Sequence, residues 1–197
     1  MKAILFDLDG VLVDACDWHY HSLNDALRHF KGMEISYADH LNKFNGLPTK
    51  IKLEMLGLGV KEKKMIWKMK QDKTLDNIKK FGSLDRYKIK MLDCLKKEGY
   101  ILVCVTNSIR RTAIEMLKVT GQLTFFDRVV CNEDVKNNKP HPDCYLLAMS
   151  SFSLKKEDCL IVEDSPKGKE AAYKSGASVL EVEDIYDVTL DNIRRFL

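Results

Sequence analysis

Four short stretches of the sequence hold the residues best suited to chemistry: Asp7-Leu8-Asp9-Gly10, Thr106-Asn107-Ser108, Asn138-Lys139-Pro140 and Glu163-Asp164-Ser165. Four carboxylates gathered at one place would repel one another, and buried charge without a partner is costly, so such a gathering implies a bound cation or an ammonium group. Oxygen donors without a cluster of His or Cys suit a hard divalent ion. Mg2+ is the expected one, because it binds through a few carboxylates and keeps water and substrate phosphate as its other ligands. Lys139 would share in neutralising an anionic substrate. Each stretch also has an ordinary structural account. Asp7, Asp9 or Thr106 could cap a helix, Ser165 before Pro166 is a usual helix start, and Lys139 could lie on the surface.

The elements that would bring these stretches together can be read from periodicity. Short apolar, β-branched runs at Lys2–Phe6, Tyr100–Val105, Phe126–Cys131, Cys159–Val162 and Ser178–Val182 read as strands buried on both faces, since they do not alternate with polar residues. Helical periods fill the gaps between them, at Tyr87–Glu98, Ile109–Val119, Asp143–Ser151 and Lys167–Ser175. Alternation of strand and helix means a parallel sheet covered on both faces, an α/β fold. In such a sheet ligands bind beyond the carboxyl ends of the strands. Three of the four stretches follow an expected strand directly, and Lys139 lies in the segment after the third strand.

One interval breaks the rhythm. More than 90 residues separate the first strand from the second, where a simple crossover needs a dozen or so. Within it, Cys16, Tyr20, Leu23, Leu27 and Phe30 form the stripe of an amphipathic helix, and Lys50–Leu56 and Lys61–Lys80 are further helices. The interval therefore reads as a helical insertion over residues 15–81, with a core built from residues 1–14 and 82–197. Lys61, Lys63, Lys64, Lys68, Lys70, Lys73, Lys79 and Lys80 make its last helix strongly basic. This excess is either a solvated face or a positive wall toward an anionic substrate.

Composition bounds the rest. The 197 residues are 45% hydrophobic and 31% charged, ordinary for a globular chain, and a net charge of +3 gives no reason to expect nucleic acid or a membrane as partner. No apolar run approaches the ~20 residues of a bilayer span. The first residues carry Asp7, Asp9 and Asp14 where a signal peptide would be apolar, so a cytoplasmic location is expected. The six cysteines are scattered without a CxxC pair and read as reduced, buried thiols. His21, His29, His40 and His141 have no partners at ligand spacing and read as structural. A monomer or small homo-oligomer is expected.

With these residues placed, the sequence resembles the haloacid dehalogenase-like (HAD) superfamily. Its four motifs stand in order as Asp7-Leu8-Asp9-Gly10-Val11, Thr106, Lys139 before Pro140, and Glu163-Asp164. The resemblance implies a Rossmann-like core with an inserted helical cap, the subtype shared by phosphoglycolate phosphatase and β-phosphoglucomutase. It further implies Mg2+-dependent hydrolysis of a small phosphorylated metabolite, such as a sugar phosphate or phosphoglycolate. Asp7 would be the nucleophile that forms an aspartyl-phosphate, and Asp9 the acid and base. Thr106, Asn107 and Lys139 would hold the transferring oxygens, while Mg2+ would be held by Asp7, the Asp9 carbonyl and Asp164, with Glu163 assisting. Asp9 favours phosphoryl transfer over dehalogenation, because a departing halide needs no proton.

In the insertion the resemblance is looser. His19 stands where β-phosphoglucomutase has a His that assists proton transfer, so it is either a substrate-site residue or a packed histidine. Lys70 stands where relatives place a lysine that reaches substrate, with a surface lysine as the alternative. Ala15 replaces a Thr of the mutase pattern and its phosphate-gripping Arg has no clear counterpart, while Gly46-Leu47-Pro48 looks like a specificity loop of phosphatases. The alternatives are a phosphosugar mutase and an inactive binding protein on the same fold. A phospho-receiver domain would place its phosphorylated Asp after the third strand and carry no helical insertion.

Overall fold

Five parallel strands form one sheet in the order β3-β2-β1-β4-β5 in the computed structural model, which describes residues 1–197. They are β1 (Ala3–Phe6), β2 (Ile101–Val105), β3 (Arg128–Val130), β4 (Cys159–Glu163) and β5 (Ser178–Glu181). The central strand β1 is hydrogen-bonded to β2 on one side and β4 on the other, with Phe6 level with both Cys104 and Val162. Successive strand residues point to opposite faces, which is why the runs are apolar throughout. Ile4, Phe6, Leu102, Cys104, Leu160 and Val162 enter one core cluster, while Ala3, Leu5, Val103, Val105 and Ile161 enter the other.

Helices α5 (Arg86–Lys97) and α6 (Arg110–Val119) cover the first face, and α7 (Asp143–Ser150) and α8 (Pro166–Ser175) the second. A short α9 (Leu190–Arg194) adds Ile193 to the first cluster. The expectation of strands buried on both faces holds for β1 and β4 and nearly so for β2. It fails for β3 and β5, which are partly exposed because they are the two edges of the sheet. The third strand is also shorter than its apolar run. Phe126 leaves the ladder and packs its ring edge-on against Phe6, with centroids 6.3 Å apart.

Between β1 and α5 run α1 (Cys16–Lys31), α2 (Tyr37–Asp39), a wide π turn at His40–Phe44, α3 (Thr49–Met55) and α4 (Val60–Phe81). Leu23, Ala26, Leu27, Ile35, Phe44, Leu53 and Ile66 give this insertion a core of its own. Asn24, buried in α1, both donates to the Ile35 carbonyl and accepts from the Ile35 amide at 2.9 Å, which pins the chain where it reverses after α1. The lower end of α4 belongs to the larger protein, since Leu75 and Ile78 join the first sheet-face cluster and Asp72 pairs with Arg111 of α6 at 3.0 Å. No helix is long and apolar enough to cross a membrane.

Candidate active site

Asp7 follows β1 directly, with its amide bonded to the Val162 carbonyl at 3.0 Å, so the ladder itself sets its position. The next turn must reverse sharply to bring Asp9 to the same side. Gly10 makes that possible: its φ is +91°, and a Cβ there would lie 2.2 Å from Oδ2 of Asp164. No L side chain fits both conditions.

Lys139 is 4% exposed and spends all three of its protons on Oδ1 of Asp7 (2.5 Å), Oε1 of Glu163 (2.6 Å) and the Val105 carbonyl (2.9 Å). Burial works against its charge, but Asp7 and Glu163 outweigh it and hold the ammonium well above the ordinary lysine range. Tyr145, fully buried on α7, donates to Oε1 of Glu163 at 3.1 Å, and Ser165 donates to Oε2 through its amide (3.0 Å) and its hydroxyl (3.2 Å). Both Glu163 oxygens are thus engaged by protein. Gly168 in the first turn of α8 permits this closeness, because a Cβ there would lie 1.7 Å from Glu163 Oε1.

Asp164 differs: its Oδ1 is buried and has no hydrogen-bond partner. Ligand oxygens of Asp7, Glu163 and Asp164 lie within 4.8 Å of one another. Burial and then Glu163 raise the Asp164 carboxyl to about 7, and burial, with Glu163 and Asp164 adding to it against Lys139, raises Asp7. An orphaned carboxylate oxygen beside two further carboxylates, with one lysine among them, fits a hard divalent cation.

Asp9 reaches the same crevice but faces the insertion. Its Oδ1 meets His19 Nε2 at 2.8 Å, and its Oδ2 accepts from Ser108 Oγ at 2.9 Å and Thr106 Oγ1 at 3.3 Å. Burial works to raise this carboxyl, but His19, Ser108 and Lys70 together bring it down to about 2. His19 Nδ1 meets Lys70 Nζ at 3.1 Å. A charged lysine can only donate, so Nδ1 accepts and the ring proton sits on Nε2, directed at Asp9. Burial and then Lys70 lower His19 to about 4, and burial and then Lys52 lower Lys70 to about 7.

Every residue expected at the site is therefore brought to one crevice. Lys70 is 4% exposed, which overturns the surface-lysine reading. It is also the one buried lysine of the eight in its helix, so the positive wall comes from Lys70 with Lys50 and Lys52 of α3 and not from the basic stripe as a whole. His19 touches Asp9 and is not merely a packed histidine. The Asn107 side chain ties the two parts of the protein together, donating to the Gly46 carbonyl at 3.0 Å and accepting from the Lys139 amide at 3.1 Å.

Three residues escaped the sequence reading. Ser108 was visible only as the neighbour of Thr106. Tyr145 could have been found as a lone hydroxyl in a helix that is otherwise apolar toward the sheet. Lys52 left a signal in spacing: with Thr49, Leu53 and Leu56 it falls at the positions that make one helical face, so a lysine stands in the register of the buried side.

The family model described as haloacid dehalogenase-like hydrolase matches residues 4–182. The chain is 27% identical over 192 residues to a phosphorylated carbohydrates phosphatase of Thermotoga maritima, covering 95% of this chain and 85% of the relative. It is 33% identical over 181 residues to the pyrophosphatase PpaX of Bacillus velezensis, covering 89% and 82%. A crystal structure of beta-phosphoglucomutase from Clostridium difficile superposes with a TM-score of 0.86 at 21% identity, over 99% of this chain and 96% of that one, a likeness of fold alone. On the extent of the family match and the 33% identity, the chain belongs to the haloacid dehalogenase-like hydrolases.

Proposed function

We propose that the protein is a Mg2+-dependent phosphatase of a small phosphorylated metabolite, with residues 15–81 acting as a cap over the site. The observation that carries this reading is the division of labour between two aspartates two residues apart. Asp7 lies beside Lys139 and the carboxylate cluster, and Asp9 is wired to His19. Relatives named as phosphatases support it.

Asp7 and Asp164 would hold the ion, with the Asp9 carbonyl contributing and Glu163 behind them. When bound, Mg2+ offsets the repulsion between Asp7 and the substrate phosphate. An oxygen of Asp7 attacks phosphorus, the phosphorus–oxygen bond to the leaving alcohol breaks, and Asp9 gives that oxygen its proton. Asp9 then takes a proton from water, whose oxygen attacks the aspartyl-phosphate, freeing phosphate and restoring the Asp7 carboxylate. Lys139 and the Thr106 hydroxyl stabilise the charge on the transferring oxygens. The second half fits Asp9 as it stands, ionised at neutral pH. The first half needs a proton on Asp9, and the chain Lys70, His19, Asp9 can supply one: Nε2 passes its proton to Asp9 as Nδ1 takes one from Lys70.

Acid-quenched single turnovers analysed by mass spectrometry test the reading. The chain should gain the mass of one phosphoryl group on the peptide containing Asp7. A chain that releases phosphate with no such adduct, and with inversion rather than net retention of configuration at phosphorus, would overturn it.

A further inference from the structure

The insertion buries one ionisable ring that the chemistry of the crevice does not use. His40 opens the π turn at His40–Phe44 and is fully buried, and neither of its ring nitrogens has a hydrogen-bond partner. A neutral imidazole carries one donor and one acceptor, so both are held unpaired. His19, by contrast, has a partner at each nitrogen.

What surrounds His40 is aromatic and positive. The Tyr20 ring of α1 meets it edge-on with centroids 5.3 Å apart, and the Tyr37 ring of α2 lies stacked at 6.3 Å. Lys52 of α3, His19 of α1 and Lys70 of α4 oppose a charge on it. Asp17 of α1 favours one, but its carboxylate already accepts from the Tyr37 hydroxyl at 2.9 Å. Burial and then Lys52 lower His40 to about 4, so the ring sits in its pocket without charge at neutral pH.

The place of this ring in the chain gives it a consequence for the crevice. The His40 carbonyl accepts from the Asn45 amide at 2.7 Å and so closes the wide turn. The next residue, Gly46, offers its carbonyl to Asn107 Nδ2 at 3.0 Å, a bond between the insertion and the sheet. Residues 45–50 line the crevice. The seat of His40 and the closed position of that segment are therefore joined by one short run of backbone.

We propose that His40 is an acid-sensitive anchor: a proton taken up by its ring unseats the π turn and withdraws residues 45–50 from the crevice, while the sheet stays folded. The sign follows from proton binding. Once the turn opens, the ring is in water and titrates at its ordinary 6.5. The open form then binds more protons than the closed one between about 4 and 6.5, so closure weakens as pH falls through that window. From pH 7.5 to pH 5 the open fraction should rise about 30-fold.

Hydrogen exchange of the intact chain, read by mass spectrometry at both pH values and corrected for the intrinsic pH dependence of amide exchange, tests this. Protection over residues 36–50 should fall about 30-fold on acidification, while β1 and β4 change far less. His40→Phe keeps a flat ring between Tyr20 and Tyr37 that cannot take a proton, and the acid loss over residues 36–50 should vanish in it. An equal loss in His40→Phe, or a loss shared alike by turn and strands, overturns the proposal. Should His40→Phe fail to fold, nitrogen NMR of the histidine-labelled intact chain decides. His40 should stay neutral at pH 6 and charge only as protection over residues 36–50 is lost; a ring that charges near 6.5 with the turn still protected overturns the proposal. None of these readings uses turnover, so they stand or fall apart from the phosphatase reading.

Discussion

The strand-end wall and the helical wall of the crevice are built on different physical terms. At the strand ends, polar groups are locked in by the ladder and by one another: Lys139 is saturated by Asp7, Glu163 and Val105, and Glu163 is saturated by Lys139, Tyr145 and Ser165. On the helical wall, His19, Lys52 and Lys70 are carried on faces that otherwise bury Leu23, Leu53 and Ile66; both ring nitrogens of His19 are engaged, but Lys70 meets only His19 and Lys52 forms no hydrogen bond. The first wall is paired within itself and suits a reaction centre that must not move. The second is more sparsely paired, with Lys52 and Lys70 lining the crevice and making few bonds to the protein.

The comparison can be broken at the strand-end wall first. Asp7→Asn is expected to lower kcat by about 10^4-fold or more, because removal of the proposed nucleophile would disable every later step. A stopped assay on any phosphomonoester that the intact chain hydrolyses would show it. Lys139→Met should cost about 10^2- to 10^3-fold in kcat. It should also remove about 3–5 kcal/mol of stability, since Asp7 and Glu163 are left buried without their cation. Urea unfolding measures the second effect, and a variant as stable as the parent would show that the network is not what holds this wall.

At the helical wall the expected losses are smaller. His19→Ala should slow hydrolysis of alkyl phosphates by about 10^2-fold and of aryl phosphates by clearly less, because proton donation matters most for poor leaving groups. Equal loss on both would remove His19 from the proton path. Gly10→Ala, at the seam, is expected to cost about 1–3 kcal/mol, because φ is +91° and the new Cβ meets Asp164.

Lys70→Met sharpens the contrast by moving the other way, with Tm rising ~2–6 °C at pH 7. The sign follows from proton binding. Lys70 is lowered to about 7 from an ordinary 10.5, burial being the first cause, so the unfolded chain binds more protons between those values. Its contribution to stability therefore rises with pH across that window. The gain in Lys70→Met should accordingly be larger at pH 7 than at pH 9.5, and a gain independent of pH would sever it from the lysine charge.

How much of this was legible in the chain follows the same division. The sheet, its covering helices and the strand-end carboxylates were readable because short-range pattern and strand position dictate them: an apolar run that ends in Asp or Glu puts that group at the crevice. The edges were misjudged at β3 and β5, since an apolar run does not say whether it has one neighbour or two. Lys70 was singled out by the resemblance, yet within the basic stripe of α4 its burial could not be read, because seven similar lysines are solvated to varying degrees and only packing separates it from them.

By itself the sequence determined a parallel α/β core interrupted by a helical insertion, and a set of acids and one lysine suited to phosphoryl chemistry. Tertiary structure alone decided which helix faces turn inward. It therefore decided that Asp9 meets His19 and His19 meets Lys70, that Tyr145 supports Glu163, and that Lys52 forms no hydrogen bond within the protein. The reason lies in what local pattern can specify. A strand-end residue is placed at the crevice by the apolar run that precedes it, whichever strand it pairs with, whereas a helical residue such as Lys70 gains its meaning only from which face packs inward, here against His19.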